Sequence, residues 1–301
     1  MRIFAYGTLL PGMPLSSVLA GARRVGPAIV PGNLLDLGPY AGLVPGEGEV
    51  TGELFDVDDR LRDRLDKVEG FRPEDPKGSL YARRRVAARR FSDGGSVDAE
   101  AYFSNQVTGA EKAIPCGDFR RFATEKGGGP VWVIAYGSNI STARLDDRLK
   151  DFGPERAARR RETVRVGWLE GFRLTFNKRP EDGGQSYANI SFEGGEERCP
   201  AVAWELTPEE VVHLDKKEGA TGRPNAHYYR VGLPLETKEG PLLAQVYLAG
   251  PSWLQRPAAP EPVYLDHLTR GYEEFGLDKR ALKEARARAQ RSPATPHPST
   301  P

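Results

Sequence analysis

A chain of 301 residues has room for one large domain or two of ordinary size, and 43 Lys+Arg against 42 Asp+Glu leave a formal charge of +1. That balance excludes a whole-molecule attraction to nucleic acid or anionic membrane, and no apolar run approaches the ~20 residues that span a bilayer. Cys116 and Cys199 are too few and too far apart for a disulfide framework or a Cys-rich zinc module, and the patterned N-terminus lacks a signal-peptide core, so the cytoplasm is the expected location.

In chain order, a short apolar β-type run from Ile3 stops at Tyr6-Gly7-Thr8-Leu9. Residues 50–57 alternate as a strand and lead into a charged helix, Asp59–Val68, which ends on Glu69-Gly70. Tyr81-Ala82-Arg83 and a β-type run over 99–103 carrying Tyr102 follow, and a glycine-rich break comes at 125–130. A strand over Val131–Ala135 then stops at Tyr136-Gly137-Ser138-Asn139-Ile140. The charged stretch 144–161 predicts helix. Residues 200–206 predict a strand, and Thr207 as N-cap with Pro208 at the first helical position starts a helix over 208–217 that ends on Glu218-Gly219. Both Gly70 and Gly219 fit helix-ending positions that need positive φ. Tyr228-Tyr229-Arg230, a β-type run over 243–248 carrying Tyr247, and a basic helix over 278–291 complete the pattern. Four prolines in 292–301 predict a disordered tail.

This order contains a repeat. Tyr-Gly followed by a hydroxyl residue, Leu-Asp-Lys-x-Glu-Gly, Tyr-x-Arg and a Tyr-bearing strand recur in sequence, which predicts tandem domains over 1–125 and 130–291. Tyr6 and Glu69 are 63 positions apart and Tyr136 and Glu218 are 82 apart, so the second copy carries an insertion, placed near 144–161.

Several chemistries drop out. The four histidines show no pair at metal-ligand spacing, and no Gly-x-Ser-x-Gly elbow is present. Gly46-Glu47-Gly48 lacks the third glycine of a dinucleotide loop. The arginine runs at 83–85, 89–90 and 159–161 read as solvated faces rather than a nucleic-acid site. What remains is the repeated constellation. A glycine in a strand-end loop lets backbone N–H groups approach a carboxylate or a developing oxyanion, and a glutamate at a helix end places a carboxylate at a bend in the chain.

Those residues resemble a known family. The segment from Phe4 to Gly12, Val50-Thr51-Gly52-Glu53-Leu54-Phe55 and 65–70 are similar to the AIG2-like, γ-glutamylamine cyclotransferase branch. The 135–140 loop, 167–176, Ala188-Asn189-Ile190, 201–218 and the 264–282 tail resemble γ-glutamylcyclotransferase proper. The resemblance implies an α+β fold of two tandem domains, each a small mixed β-barrel with flanking helices. It implies catalytic glutamates at Glu69 and Glu218, and substrate-binding residues at Tyr6, Gly7, Thr8, Leu9 and Tyr81 in the first copy. In the second they are Tyr136, Gly137, Ser138, Asn139, Ile140 and a tyrosine at Tyr228 or Tyr229, with the Tyr-x-Arg spacing favouring Tyr228.

The implied reaction is cleavage of a γ-glutamyl amide or γ-glutamyl-amino acid by its own α-amine, giving 5-oxoproline and a free amine. That intramolecular attack requires neither metal nor cofactor, and proximity contributes ~7–11 kcal/mol. The only expected partner is a small γ-glutamyl substrate, without nucleic acid or membrane; the oligomeric state is left open. Leu9 in place of Asn139 makes the first loop less polar, so the first pocket is expected to favour uncharged leaving ends and the second γ-glutamyl-amino acids. The loop glycines are expected to exclude side chains, partly through backbone conformation. A catalytically degenerate ligand-binding or interaction module on the same fold is the alternative.

Overall fold

The computed structural model describes residues 1–291 except 182 and 223; the expected disordered tail lies outside the described residues. The first half contains β1 (Arg2–Ala5), β2 (Arg23–Asp36), β3 (Ala41–Asp56), α1 (Asp59–Val68), β4 (Tyr81–Arg90), β5 (Ser96–Ser104), the short β6 (Lys112–Ala113) and α2 (Phe119–Glu125). The second contains β7 (Val131–Ala135), α3 (Thr142–Arg148), α4 (Gly153–Thr163), β8 (Arg165–Glu170), β9 (Phe172–Lys178), β10 (Tyr187–Phe192), β11 (Arg198–Leu206), α5 (Pro208–Glu218), β12 (Tyr228–Thr237), β13 (Gly240–Ala249), α6 (Pro262–Glu274) and α7 (Lys279–Arg291).

Five strands of the first half close on themselves in the order β3-β1-β5-β4-β2, because β2 pairs with both β3 and β4 and β1 with both β3 and β5. The second half closes as β11-β7-β13-β12-β8. The two orders are the same when β1 is matched with β7, β3 with β11 and β5 with β13. In each barrel the first strand also makes a parallel contact, β1 with β5 and β7 with β13, so both barrels are mixed. Closure removes exposed sheet edges and surrounds an apolar interior: Ile3, Val30, Leu54 and Ala101 in one barrel, Val202, Leu233, Ala244 and Val246 in the other.

The expected helices form where their capping residues place them. Asp58 accepts a hydrogen bond from the Leu61 N–H to start α1. Thr207 and Glu210 form a reciprocal capping box at α5, behind Pro208. Gly70 at φ 60° and Gly219 at φ 64° adopt the left-handed turn that ends each helix. The insertion in the second copy is α3 and α4. Its arginines are held internally: Arg160 is buried between Asp146 and Glu210, and Arg156 also reaches Glu210. Arg83, Arg89 and Arg90 of the first copy likewise pair with Asp66 and Glu100, Glu49, and Asp93. Among the described residues no helix is long and apolar enough to cross a membrane.

The barrels meet through α2. Arg120 lies against Gly232 of β12, where an added Cβ would sit 2.4 Å from the arginine's own Cβ, so only glycine permits this approach. The Arg120 guanidinium donates to Glu53 Oε1 at 2.6 Å, and Arg24 donates to the other carboxylate oxygen. A second link runs from the Tyr229 hydroxyl to Glu49 Oε2, with Arg89 on the same carboxylate and Phe91 edge-on to the Tyr229 ring. Burial alone would raise the Glu53 carboxyl, but the two guanidiniums outweigh it and hold the pKa below the usual glutamate value. A carboxyl with a depressed folded-state pKa contributes stability above its unfolded value of about 4.3 and loses it as pH falls through the lower folded value. Glu53→Gln is therefore expected to cost about 3–5 kcal/mol in urea unfolding at pH 7. It should also flatten the loss of stability that the wild type shows below about pH 4.

Candidate active site

Each barrel builds the same chain of hydrogen bonds at the end of its first strand. In the first, the Tyr6 hydroxyl donates to the Tyr102 carbonyl at 2.6 Å, the Tyr102 hydroxyl donates to Asp66 Oδ1 at 2.6 Å, and Arg83 Nε lies 3.3 Å from the same carboxylate. In the second, Tyr136 donates to the Tyr247 carbonyl, Tyr247 donates to Asp215 Oδ1 at 2.7 Å, and Arg230 Nε stands 2.8 Å from Asp215. Burial, reinforced by neighbouring carboxylates, pushes all four tyrosines up, so they stay protonated donors. Asp66 and Asp215 precede Glu69 and Glu218 by three residues, the spacing that puts two side chains on one helical face. Fixing the aspartate therefore aims the glutamate. Asp66, Arg83, Tyr102 and their counterparts were visible in the sequence as part of the repeat but were not assigned roles there.

The glutamates share a position and differ in their surroundings. Glu69 faces a cavity of about 630 Å³ together with Tyr6, Gly7, Thr8, Leu9 and Tyr81. The Tyr81 hydroxyl donates to the Ala41 carbonyl at 3.1 Å across this cavity's wall. Leu15, Leu37, Tyr40, Val68 and Leu80 supply most of the remainder, with Gln106 and a second carboxylate, Glu111, also on the wall, and among the described residues no Lys, Arg or His lines it. The Glu69 carboxylate makes no hydrogen bond or ion pair among the described residues, and burial raises its pKa from 4.5 to about 7.

Glu218 is held instead. Asn139 Nδ2 donates to its Oε1 at 3.0 Å, and Arg148, delivered by the inserted α3, forms an ion pair with the same oxygen. The space at the 136–139 loop has shrunk to about 40 Å³. Tyr264 of α6 covers it, accepting from the Ala188 N–H at 3.1 Å, with its own hydroxyl pushed up to about 12 by burial. Tyr228 also lines this space and donates to the Ala188 carbonyl at 3.2 Å, whereas Tyr229 turns away to Glu49. Beyond Glu218 a wider cavity of about 620 Å³ opens, shared with Ser138, Arg148, Lys178, Tyr228 and Trp253. The Asn139 Oδ1 atom is buried without a partner among the described residues.

Two expectations change. Ile140 is fully buried beneath Gly271 of α6 and lines neither cavity, so it packs the loop from behind. Neither Gly7 nor Gly137 has positive φ, so backbone conformation does not demand glycine at either position. What differs is space: a Cβ on Gly7 would meet nothing within 4 Å, while one on Gly137 would sit 3.3 Å from the Tyr264 hydroxyl and 3.4 Å from the Ala188 Cβ.

A small mixed barrel with a carboxyl group on the wall of a ligand-sized cavity defines the class of site, assembled from segments distant in sequence. The family described as gamma-glutamyl cyclotransferase, AIG2-like, matches residues 3–121. The Escherichia coli K12 gamma-glutamylcyclotransferase family protein YtfP is 33% identical over 87 residues, which are 29% of this chain and 72% of that protein. The Pyrococcus horikoshii putative gamma-glutamylcyclotransferase PH0828 is 37% identical over 71 residues, 23% of this chain and 60% of that one. The crystal structure of YkqA from Bacillus subtilis shares the fold over 98% of this chain and 99% of its own, with a TM-score of 0.74 at 22% identity. The chain belongs to the γ-glutamylcyclotransferase family, as two tandem barrels.

The unequal space around the two loop glycines has a measurable consequence. Gly7→Ala is expected to change folding stability by less than about 0.5 kcal/mol while weakening ligand binding, since its methyl enters the cavity. Gly137→Ala should cost about 1 kcal/mol or more in chemical denaturation, since Tyr264 and Ala188 must give way.

Proposed function

We propose that the chain is a γ-glutamylcyclotransferase-type enzyme whose first barrel holds a site poised for turnover, with Glu69 as its general acid–base. The observation that carries this reading is the Glu69 carboxyl, without a partner among the described residues, raised to about 7 on the wall of a 630 Å³ cavity that also includes the 6–9 loop. A group titrating near the working pH accepts and returns a proton with the smallest penalty in either direction.

The substrate's α-carboxylate and γ-carbonyl lie toward the 6–9 loop, whose backbone N–H groups are the donors offered to them. Ionised Glu69 takes a proton from the α-ammonium. The freed amine nitrogen bonds to the γ-carbonyl carbon, and the carbonyl π electrons move to oxygen. As the tetrahedral intermediate collapses, the bond from that carbon to the leaving nitrogen breaks. Glu69 returns the proton to the leaving amine, the ring nitrogen sheds its second proton to that amine, which departs as an ammonium ion, and 5-oxoproline is formed without consuming water. Tyr6, Tyr102 and Asp66 act as positioning residues: they hold the loop, the neighbouring strand and the helix that carries Glu69 in register. The cavity's apolar lining and absence of cations favour leaving groups without a carboxylate.

In the second barrel the Arg148 and Asn139 contacts to Glu218 support a different resting state, in which the equivalent carboxylate is engaged until a ligand rearranges it. Complete inactivity of that barrel, with the copy retained as a ligand-binding module, is the competing reading. The Tyr264 cover over its loop favours this second reading.

Three results test the proposal. Glu69→Gln should lower 5-oxoproline release from γ-glutamyl amides of aliphatic amines by about 10²–10⁴-fold with folding retained. The wild-type kcat/KM should rise with pH through about 7, the raised value of the Glu69 carboxyl. A carboxyl whose folded-state pKa lies above its unfolded value contributes stability below about 4.3 and loses it as pH rises through about 7, so Glu69→Gln should gain stability relative to wild type between pH 4 and pH 8 in denaturant titrations. Wild-type turnover by the Glu69→Gln protein on these amides would remove the assignment. Separate kinetics of Glu69→Gln and Glu218→Gln on amides and on γ-glutamyl-amino acids decide whether the copies divide the substrates or one copy does all the work.

A further inference from the structure

The two loops that end the first strands are backed by different parts of the molecule. In the second copy the backing is local. A Cβ on Gly271 of α6 would stand 2.4 Å from Ile140 Cγ2 and 2.8 Å from the Ser141 nitrogen, and the Thr142 N–H donates to Glu274 at 3.1 Å. Counted from Tyr136 and from Tyr6, the corresponding residues of the first loop are Leu10, Pro11 and Gly12. These face the other barrel instead. A Cβ on Gly12 would meet Pro234 Cβ at 3.5 Å and Leu243 Cδ1 at 3.7 Å, and those two residues stand opposite each other in the β12–β13 pair. Leu243 packs against the first barrel's core.

Arg120 closes the bracket from α2. It is 1% exposed, and the Nη1 that donates to Glu53 also donates to the Pro11 carbonyl at 3.5 Å. Glu53 lies opposite Ala5, the residue before Tyr6. One guanidinium nitrogen therefore holds the entry of the loop, through Glu53, and its far side. The helix that carries it is pinned to both barrels: the buried Asp118 carboxylate accepts from the Arg121 N–H at 2.7 Å, from the Thr51 hydroxyl of β3 at 2.6 Å and from the Gly232 N–H of β12 at 3.3 Å. Moving α2 against either barrel breaks buried hydrogen bonds.

We propose that the second barrel serves the first as the seat of its catalytic loop, with Arg120, Pro234 and Leu243 fixing Pro11-Gly12 and, through the turns behind them, the 6–9 backbone. The inference rests on the reading of the first barrel as the working site and gives the second a role that requires no turnover of its own. The turns transmit the position. Leu10 N–H donates to the Gly7 carbonyl at 3.1 Å, Met13 N–H to the Leu10 carbonyl at 3.0 Å and Leu15 N–H to the Thr8 carbonyl at 2.9 Å. A shift at Pro11-Gly12 moves the Gly7 and Thr8 peptides offered to the substrate, together with Leu15 on the cavity wall. Glu69 is aimed separately, through Asp66 on α1, so loss of the seat misplaces the donors and leaves the base. Misplacement by about 1 Å is enough to cost on the order of 10²-fold in rate. Arg120 is thus a positioning residue that acts through the loop.

Full-length variants test this with two readouts. Leu243→Ala trims a half-buried side chain of the seat, and Gly232→Ala displaces Arg120. Arg89→Gln is the control, cutting cross-barrel contacts to Asn225 and Ser252 away from the loop. In hydrogen exchange, peptides covering 7–15 should exchange about tenfold faster or more in Leu243→Ala, with those covering 59–70 unchanged. In 5-oxoproline release from γ-glutamylethylamide, kcat/KM should fall about tenfold or more in Leu243→Ala and Gly232→Ala. The pH midpoint should stay at about 7, because Glu69 has not moved. Arg89→Gln should keep wild-type kcat/KM, and Arg120→Lys, which retains a cation for Glu53, should keep more of it than Arg120→Met. Unchanged loop protection in Leu243→Ala would overturn the proposal, as would faster loop exchange with wild-type kcat/KM, or an equal loss in Arg89→Gln. The catalytic reading fails separately: wild-type turnover by Glu69→Gln removes Glu69 as the base, while exchange of the 7–15 peptides still decides whether the second barrel seats the loop.

Discussion

The arrangement depends on one repeated chain of contacts, from the tyrosine that ends the first strand, through a second tyrosine, to an aspartate clamped by an arginine. Each chain ties four pieces of backbone that are distant in sequence: the first strand's terminal loop, the fifth strand of the barrel, the helix after the long hairpin and the strand that carries Tyr-x-Arg. The buried phenols have no better partner than one another's strands, and the aspartate is fixed in place by its arginine. A barrel alone would leave a helix-borne glutamate free to swing. With Asp66 or Asp215 fixed one turn earlier, the carboxyl of Glu69 or Glu218 is directed at the loop.

Around that shared frame the two copies diverge through few changes. Leu9 offers no hydrogen bond, so Glu69 sits opposite an apolar wall, and burial acts on its carboxyl without an opposing cation. Asn139 and the inserted helix carrying Arg148 give Glu218 two donors. Tyr264 arrives from α6, an element with no counterpart in the first copy, and narrows the second loop's space. The chemistry follows from these neighbours rather than from the glutamate itself: one carboxyl is free to exchange protons near neutral pH, while the other is engaged by a guanidinium.

Much of this was legible in the sequence because the repeat superimposes local signals on distant ones. The Thr207–Pro208 start, the Glu-Gly helix ends and the Tyr-Gly loops are local rules that tertiary structure respected. The barrels follow from the family resemblance, since short strands alone do not specify closure. What the sequence could not convey was spatial. Arg148 reaching Glu218 across 70 residues, Tyr264 covering the second loop from α6 and Arg120 packing on Gly232 leave no mark in periodicity or spacing. Ile140 looked like part of the loop because it is adjacent in sequence, yet the single turn after Asn139 rotates it into the core. The loop glycines looked like conformational requirements, and the backbone shows that space is the relevant quantity.

The central claim is that the Glu69 carboxyl is a proton-exchanging group near neutral pH. Carbon-13 NMR of protein labelled at the glutamate side-chain carboxyls observes this directly, with the Glu69→Gln protein identifying the resonance. The account predicts that the signal absent from the variant titrates with a midpoint of about 7. A midpoint near 4.3, the value of an unperturbed glutamate, would contradict it.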